Sequence, residues 1–132
     1  MRFRLTPPRP APRSEAEVIK ECIGYLGRRG YWCHRNPVGR FQSMTGHWAE
    51  FGPPGIPDYT AIHGSYPAFF VEFKRPGKKL RETQAARFHE LELYGFATVM
   101  AASVEDLIDF LDGHEERART RLIIATAMAR GP

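Results

Sequence analysis

The apolar positions of this chain follow two different spacings, and the changes between them mark out its elements. Val18, Ile19, Cys22, Ile23, Tyr25 and Leu26 fall on one stripe at roughly 100° per residue, the signature of an amphipathic helix. Ser14-Glu15-Ala16-Glu17 has the S-x-x-E form of a capping box, in which Glu17 reaches back to the Ser14 amide, so the helix is predicted to begin at Ser14. Tyr31 and Trp32 open a strand and are expected in the core. Pro53-Pro54-Gly55-Ile56-Pro57 is a run of turn formers, after which Asp58 to Ile62 has strand character up to a turn at His63-Gly64-Ser65. Ala68 to Lys74 is rich in aromatic and β-branched residues and stops at Arg75-Pro76-Gly77. The turn between these last two strands is short, which predicts a hairpin. A helix follows from about Arg81 to Tyr94, with Gln84, Phe88 and Leu91 on one face, and Gly95 ends it. Phe96 to Ala101 is a predicted buried strand, and Ser103 caps a helix through Leu111. Glu115 to Arg130 is a further helical segment with an apolar cluster of Leu122, Ile123, Ile124, Ala127 and Met128.

The order helix, strand, hairpin, helix, strand, helix predicts a single α/β domain with a central mixed sheet flanked by helices. Its expected parts are a basic, proline-rich arm over 1–13, a core over 14–112, and a C-terminal helix over 113–132 that packs on the core or on a second copy.

Side chains alternate along a strand, so Glu72 and Lys74 should project from one side of the sheet and Val71 and Phe73 from the other. The hairpin would bring Asp58 and Glu72 to one end. Two carboxylates there can hold Mg²⁺ or Mn²⁺, and Lys74 can orient or deprotonate a water or neutralise charge on a phosphate. A solvated cross-strand charge pair is the simpler alternative. Glu15 falls near the middle of the first helix's apolar stripe, where an acid needs a partner; a metal or its waters would supply one, as opposed to a first-turn acid favoured by the helix dipole. Gln84 likewise sits on a buried face, which is costly unless its amide is hydrogen-bonded, to a loop carbonyl or to the site.

Charge is unevenly distributed. Residues 1–81 carry fourteen Lys and Arg against six acids, or +8; residues 82–116 carry one against nine, or −8; residues 117–132 add +4. The basic excess flanks the proposed site at Arg35, Arg40, Lys74, Arg75, Lys78, Lys79 and Arg81, which suits contacts to phosphates, although charge runs also form simple solvated faces. At 132 residues and 42% hydrophobic content the chain is long enough for one core. No membrane span or signal peptide is visible, and the two cysteines give no disulfide framework, which predicts a reduced, cytoplasmic protein. The absence of C-x-x-C and H-x-x-x-H spacings argues against a structural zinc site. The stretch from Pro37 to Gly55 is long for a loop; part of it is expected to form a second hairpin overhanging a DNA channel, with Arg40 on a phosphate, or else to be a surface excursion.

These residues together resemble the PD-(D/E)XK nuclease superfamily, and within it the small stand-alone, phage-type VRR-NUC nucleases. The resemblance rests on Glu15, Arg35-Asn36, Gly55-Ile56-Pro57-Asp58, Glu72-Phe73-Lys74, Pro76-Gly77-Lys78-Lys79-Leu80, Gln84 and Gly95, in that order over Ser14 to Leu111. It implies a restriction-endonuclease-like fold and a Mg²⁺- or Mn²⁺-dependent DNA endonuclease. Asp58, Glu72 and the Phe73 backbone carbonyl would be metal ligands, Lys74 the catalytic lysine, and Gln84 a supporting residue. Glu15 would act on the metal directly or through water. Arg35, Asn36, Arg40, Arg75, Lys78, Lys79 and Arg81 would contact DNA. It also implies branched DNA such as a Holliday junction as substrate, a homodimer with two sites, and a bacterial or phage-infected cell as the setting. Arg81 departs from the pattern, which often has serine or threonine there. Two other readings stay open: a nuclease acting on ordinary duplex or single-stranded ends, and a catalytically silent DNA- or partner-binding module.

Overall fold

The computed structural model describes residues 13–37, 39–42, 44–51 and 54–131. Among them the chain forms α1 (Glu15–Arg28), β1 (Trp32–Arg35), β2 (Gly39–Gln42), β3 (Trp48–Phe51), β4 (Tyr59–Ile62), β5 (Phe69–Phe73), α2 (Glu82–Leu93), β6 (Ala97–Ala101) and α3 (Val104–Arg130). The architecture is α/β, with a mixed sheet in the order β1-β4-β5-β6 and a separate two-stranded ribbon of β2 and β3. β1, β4 and β5 pair antiparallel, whereas β5 and β6 run parallel because α2 carries the chain across between them.

Alternation along β5 sorts the two faces of the sheet. Phe69, Val71 and Phe73 are fully buried in a cluster with Val18, Cys22 and Leu26 of α1 and Leu107 and Leu111 of α3. Each of these large side chains contributes roughly 1.5–3 kcal/mol by leaving water. The opposite face carries Glu72, which α2 covers: Phe88 of α2 is buried, and Gln84 reaches down to the glutamate. The Ser14 hydroxyl caps α1 by accepting from the Glu17 amide, and Ser103 caps α3 in the same way from Asp106.

The structure departs from the sequence reading at Trp32 and in the C-terminal helix. Trp32 is 62% exposed, because it lies on the outward side of an edge strand; its neighbour Tyr31 is the buried aromatic. The two predicted C-terminal helices are one, running through Gly113 without a break. Continuity is enforced just after that glycine, where His114 and Glu115 are both buried, the imidazole Nε2 lying 2.7 Å from the Pro67 carbonyl. The apolar cluster beyond them does not reach the core: Leu122, Ile123, Ile124 and Met128 are all more than half exposed. The expected second hairpin in the 37–55 stretch is present as β2 and β3. The N-terminal arm, apart from Arg13, and the Arg40 side chain lie outside the described residues. No helix among those described is long and apolar enough to cross a membrane.

Candidate active site

The β4–β5 hairpin sets Tyr59 opposite Val71, so Asp58, one residue before β4, comes to lie beside Glu72. Glu72 is only 2% exposed. Its Oε2 accepts from the Asp58 backbone amide at 3.0 Å, and its Oε1 accepts from the Gln84 side-chain amide at 2.8 Å. Lys74, two residues on and therefore on the same side of β5, places its ammonium 3.5 Å from Oε1 and is itself largely buried. Burial pushes the Glu72 carboxyl up, and the neighbouring Asp58 carboxylate pushes it the same way; the Asp58 amide and Lys74 oppose them, and the outcome is a value of about 7. A carboxylate held this far from water beside a second carboxylate favours a proton or a cation as a further partner.

Gln84 is committed at both ends of its amide. Its oxygen accepts from the Arg81 backbone amide at 2.8 Å, capping the start of α2, while its nitrogen holds Glu72. The glutamine thus ties the helix start to the acidic pair. The turn before Asp58 reaches the same place only because residue 55 is glycine. Gly55 has φ of +76°, and a Cβ there would meet the Thr83 carbonyl oxygen at 2.3 Å.

Asp58, Glu72, Lys74 and Gln84 line a cleft of about 320 Å³ together with Glu15, Gly55, Ile56, Arg81 and Thr83. Glu15 is exposed, where the sequence reading put it on the buried face; its position in the first turn of α1 makes it a wall of the cleft. It also lines two adjoining spaces. One, of about 390 Å³, is walled by Lys74, Arg75, Lys78, Lys79 and Arg81, and the other, of about 170 Å³, by Arg35 and Asp58 with Ile19 and Tyr59. The basic residues after β5 converge because the chain turns back at Gly77, where the Lys78 amide donates to the Arg75 carbonyl at 3.1 Å. An acidic pocket thus opens directly onto a cationic one.

Most of the residues singled out in the sequence meet here. Asn36 is the exception in role: its side chain is engaged within the protein by Pro57 and Thr60, not directed outward to a ligand. Thr60 was not anticipated; its only sequence signal is a small polar residue two positions after Asp58, on the same side of the strand. Phe73 is fully buried with its ring in the core, and it is not among the residues that line the cleft.

Hard oxygen donors beside a lysine fit a small divalent cation such as Mg²⁺ or Mn²⁺. Among the described residues no three His, Cys, Asp or Glu side chains converge as a metal-holding group. The carboxylates in play are the Asp58–Glu72 pair, with Glu15 at the cleft wall. No protein-family model matches this chain, and no curated protein matches it significantly.

Proposed function

We propose that this protein is a divalent-metal-dependent deoxyribonuclease that hydrolyses phosphodiester bonds within DNA. The observation that carries the proposal is the buried Glu72, paired with Asp58 and within 3.5 Å of Lys74, in a cleft that opens onto five cationic side chains. That arrangement supplies opposite charges to the two things a nuclease must hold together, a metal ion and a polyanionic strand.

In this reading Asp58 and Glu72, with the Phe73 carbonyl, would hold Mg²⁺ or Mn²⁺, and Glu15 would act on it directly or through water. When bound, the cation lowers the pKa of a water and withdraws charge from the phosphate. The chain's own groups do the rest. Lys74 orients the attacking water and stabilises the charge that develops on the phosphoryl oxygens. Gln84 fixes the Glu72 carboxylate in one orientation. Arg35, Arg75, Lys78, Lys79 and Arg81 hold the phosphates on either side of the reacting one.

The resemblance to VRR-NUC nucleases directs the choice of substrate toward branched DNA, a four-way junction above all. Symmetric junction cleavage needs two sites related by a twofold axis. The exposed apolar end of α3 is the surface available to join a second copy.

The test is cleavage of end-labelled junction, flap, duplex and single-stranded DNA with Mg²⁺ or Mn²⁺, with Lys74→Ala alongside. Paired nicks on the junction, absent in the variant, support the proposal in full. Cutting of duplex or single strands alone replaces the junction with ordinary DNA. Binding without cutting under either metal sinks the enzyme and leaves a DNA-binding module.

A further inference from the structure

Asn36 stands just past β1 and makes three hydrogen bonds to one short piece of chain. Its backbone amide donates to the Asp58 carbonyl at 2.7 Å, its side-chain nitrogen donates to the Pro57 carbonyl at 2.8 Å, and its side-chain oxygen accepts from the Thr60 hydroxyl at 2.9 Å. The first two contacts have a specific geometric effect. The Pro57 carbonyl belongs to the peptide plane that precedes the Asp58 Cα, and the Asp58 carbonyl to the plane that follows it. With both planes anchored to one residue, φ and ψ of Asp58 are fixed, and so is the direction of its Cα–Cβ bond. The Pro57 carbonyl can only accept and so fixes which end of the Asn36 amide carries nitrogen, and the Thr60 hydroxyl donates to the oxygen at the other end.

The preceding peptide plane does a second task. Its carbonyl goes to Asn36, while its N–H goes to Glu72 Oε2 at 3.0 Å. One peptide therefore carries the constraint from Asn36 to both acidic residues. Any loosening at Asn36 would turn that plane, shifting the Asp58 carboxylate and removing a donor from Glu72 together.

We propose that Asn36 and Thr60 are positioning residues for the metal-binding pair, and that Asn36 has no direct contact with DNA. The inference rests on the metal-dependent reading above and reassigns a residue that the resemblance places among the DNA contacts. Groups that orient metal ligands without touching the ion characteristically change affinity by about 10–100-fold when removed.

The experiment is calorimetric titration of the full chain with Mn²⁺ alone, well below the melting temperature. It is run on the wild type and on Asn36→Ala, Thr60→Val and Thr60→Ser, with junction binding measured separately in EDTA. Asn36→Ala is expected to weaken Mn²⁺ by about 10–100-fold while leaving DNA affinity in EDTA unchanged. Thr60→Val, which keeps the shape and loses the hydroxyl, should weaken it several-fold, and Thr60→Ser should restore it. A purely structural role would lower the melting temperature without moving Mn²⁺ affinity in the folded variants, and that result overturns the inference. So does loss of DNA affinity in EDTA, which marks Asn36 as a DNA contact. If Asn36→Ala does not fold, the Thr60 pair decides alone. A wild type that binds DNA but not Mn²⁺ removes the metal reading, and the clamp with it.

Discussion

Two glutamates among the described residues are buried almost completely, and their partners differ. Glu115, 5% exposed in the middle of α3, receives a guanidinium nitrogen of Arg29 on Oε1 at 2.8 Å and the Tyr31 hydroxyl on Oε2 at 3.0 Å. Burial raises the Tyr31 pKa, and the bond to Glu115 raises it further, so the phenol stays a donor. Glu72, at 2%, has two neutral amide donors, a lysine at 3.5 Å and a second carboxylate beside it. The first carboxylate is charge-paired inside the protein and ties α3 to the end of α1. The second is hydrogen-bonded, and it faces a cleft. Similar burial thus accompanies different electrostatic settings: each glutamate has one cation beside it, but Glu72 also has a second carboxylate for a neighbour.

The sharpest way to break the comparison is to remove a partner from each. Lys74→Ala is expected to lower metal-dependent cleavage by about 10³-fold or more, the scale of losing a charge-stabilising group at a reacting phosphate. The fold should survive, as read by circular dichroism. Glu115→Ala should do the reverse: it leaves Arg29 and the Tyr31 hydroxyl without their acceptor, and costs about 2 kcal/mol, reduced from the fully buried case because Arg29 is partly exposed. Its cleavage rate per folded molecule should match wild type. If Lys74→Ala unfolds the protein, or Glu115→Ala abolishes cleavage in a folded protein, the division between the two glutamates fails.

A smaller effect follows from the titration of Glu72. Its carboxyl is raised from 4.5 to about 7 in the folded, metal-free protein. Below 4.5 it is protonated whether the chain is folded or not. As pH rises from there to 7 the unfolded chain releases its proton while the folded one keeps it, so stability falls across that window and levels off above it. Glu72→Gln lacks this titration. It should therefore be more stable than wild type at pH 8 in EDTA, with the advantage vanishing near pH 4.5. Adding Mn²⁺ should stabilise the wild type and not the variant. Parallel melting curves for the two proteins over that pH range would show that Glu72 carries no such strain.

Much of this site was legible because it is built from local patterns. Alternation in β5 put Glu72 beside Lys74 and away from Phe73, and a short turn put Asp58 next to them. The buried-face position of Gln84 correctly marked it as needing a partner. What the sequence concealed depends on register and on long-range contact. Only the pairing of β1 with β4, in which His34 faces Thr60, brings Asn36 alongside Pro57 and Asp58. Glu15 was misjudged because a position in the first turn of a helix can fall on the apolar stripe and still lie beyond the edge of what that stripe covers. The single α3 was concealed by Gly113, whose low helix propensity is overridden by the anchored His114 and Glu115 that follow it.

That anchor also marks where α3 leaves the body of the protein, and it gives the mildest test of the comparison. Before it, Leu107 and Leu111 are fully buried; beyond it, Ile123 is 69% exposed and Met128 77%. A helix segment apolar on this many sides is suited to burial against another surface, and in the proposed enzyme that surface belongs to a second copy. Ile123 is largely exposed in the single chain, so at low protein concentration the stability of Ile123→Glu should stay within about 0.5 kcal/mol of wild type. Sedimentation at higher concentration should show the wild type as a dimer and the variant as a monomer. Paired nicking of a junction should become single nicking at an unchanged rate per site, since Asp58, Glu72 and Lys74 lie at the other end of the sheet. A wild type that is monomeric at every concentration, yet still makes paired nicks, would show that the exposed helix end does not join two copies.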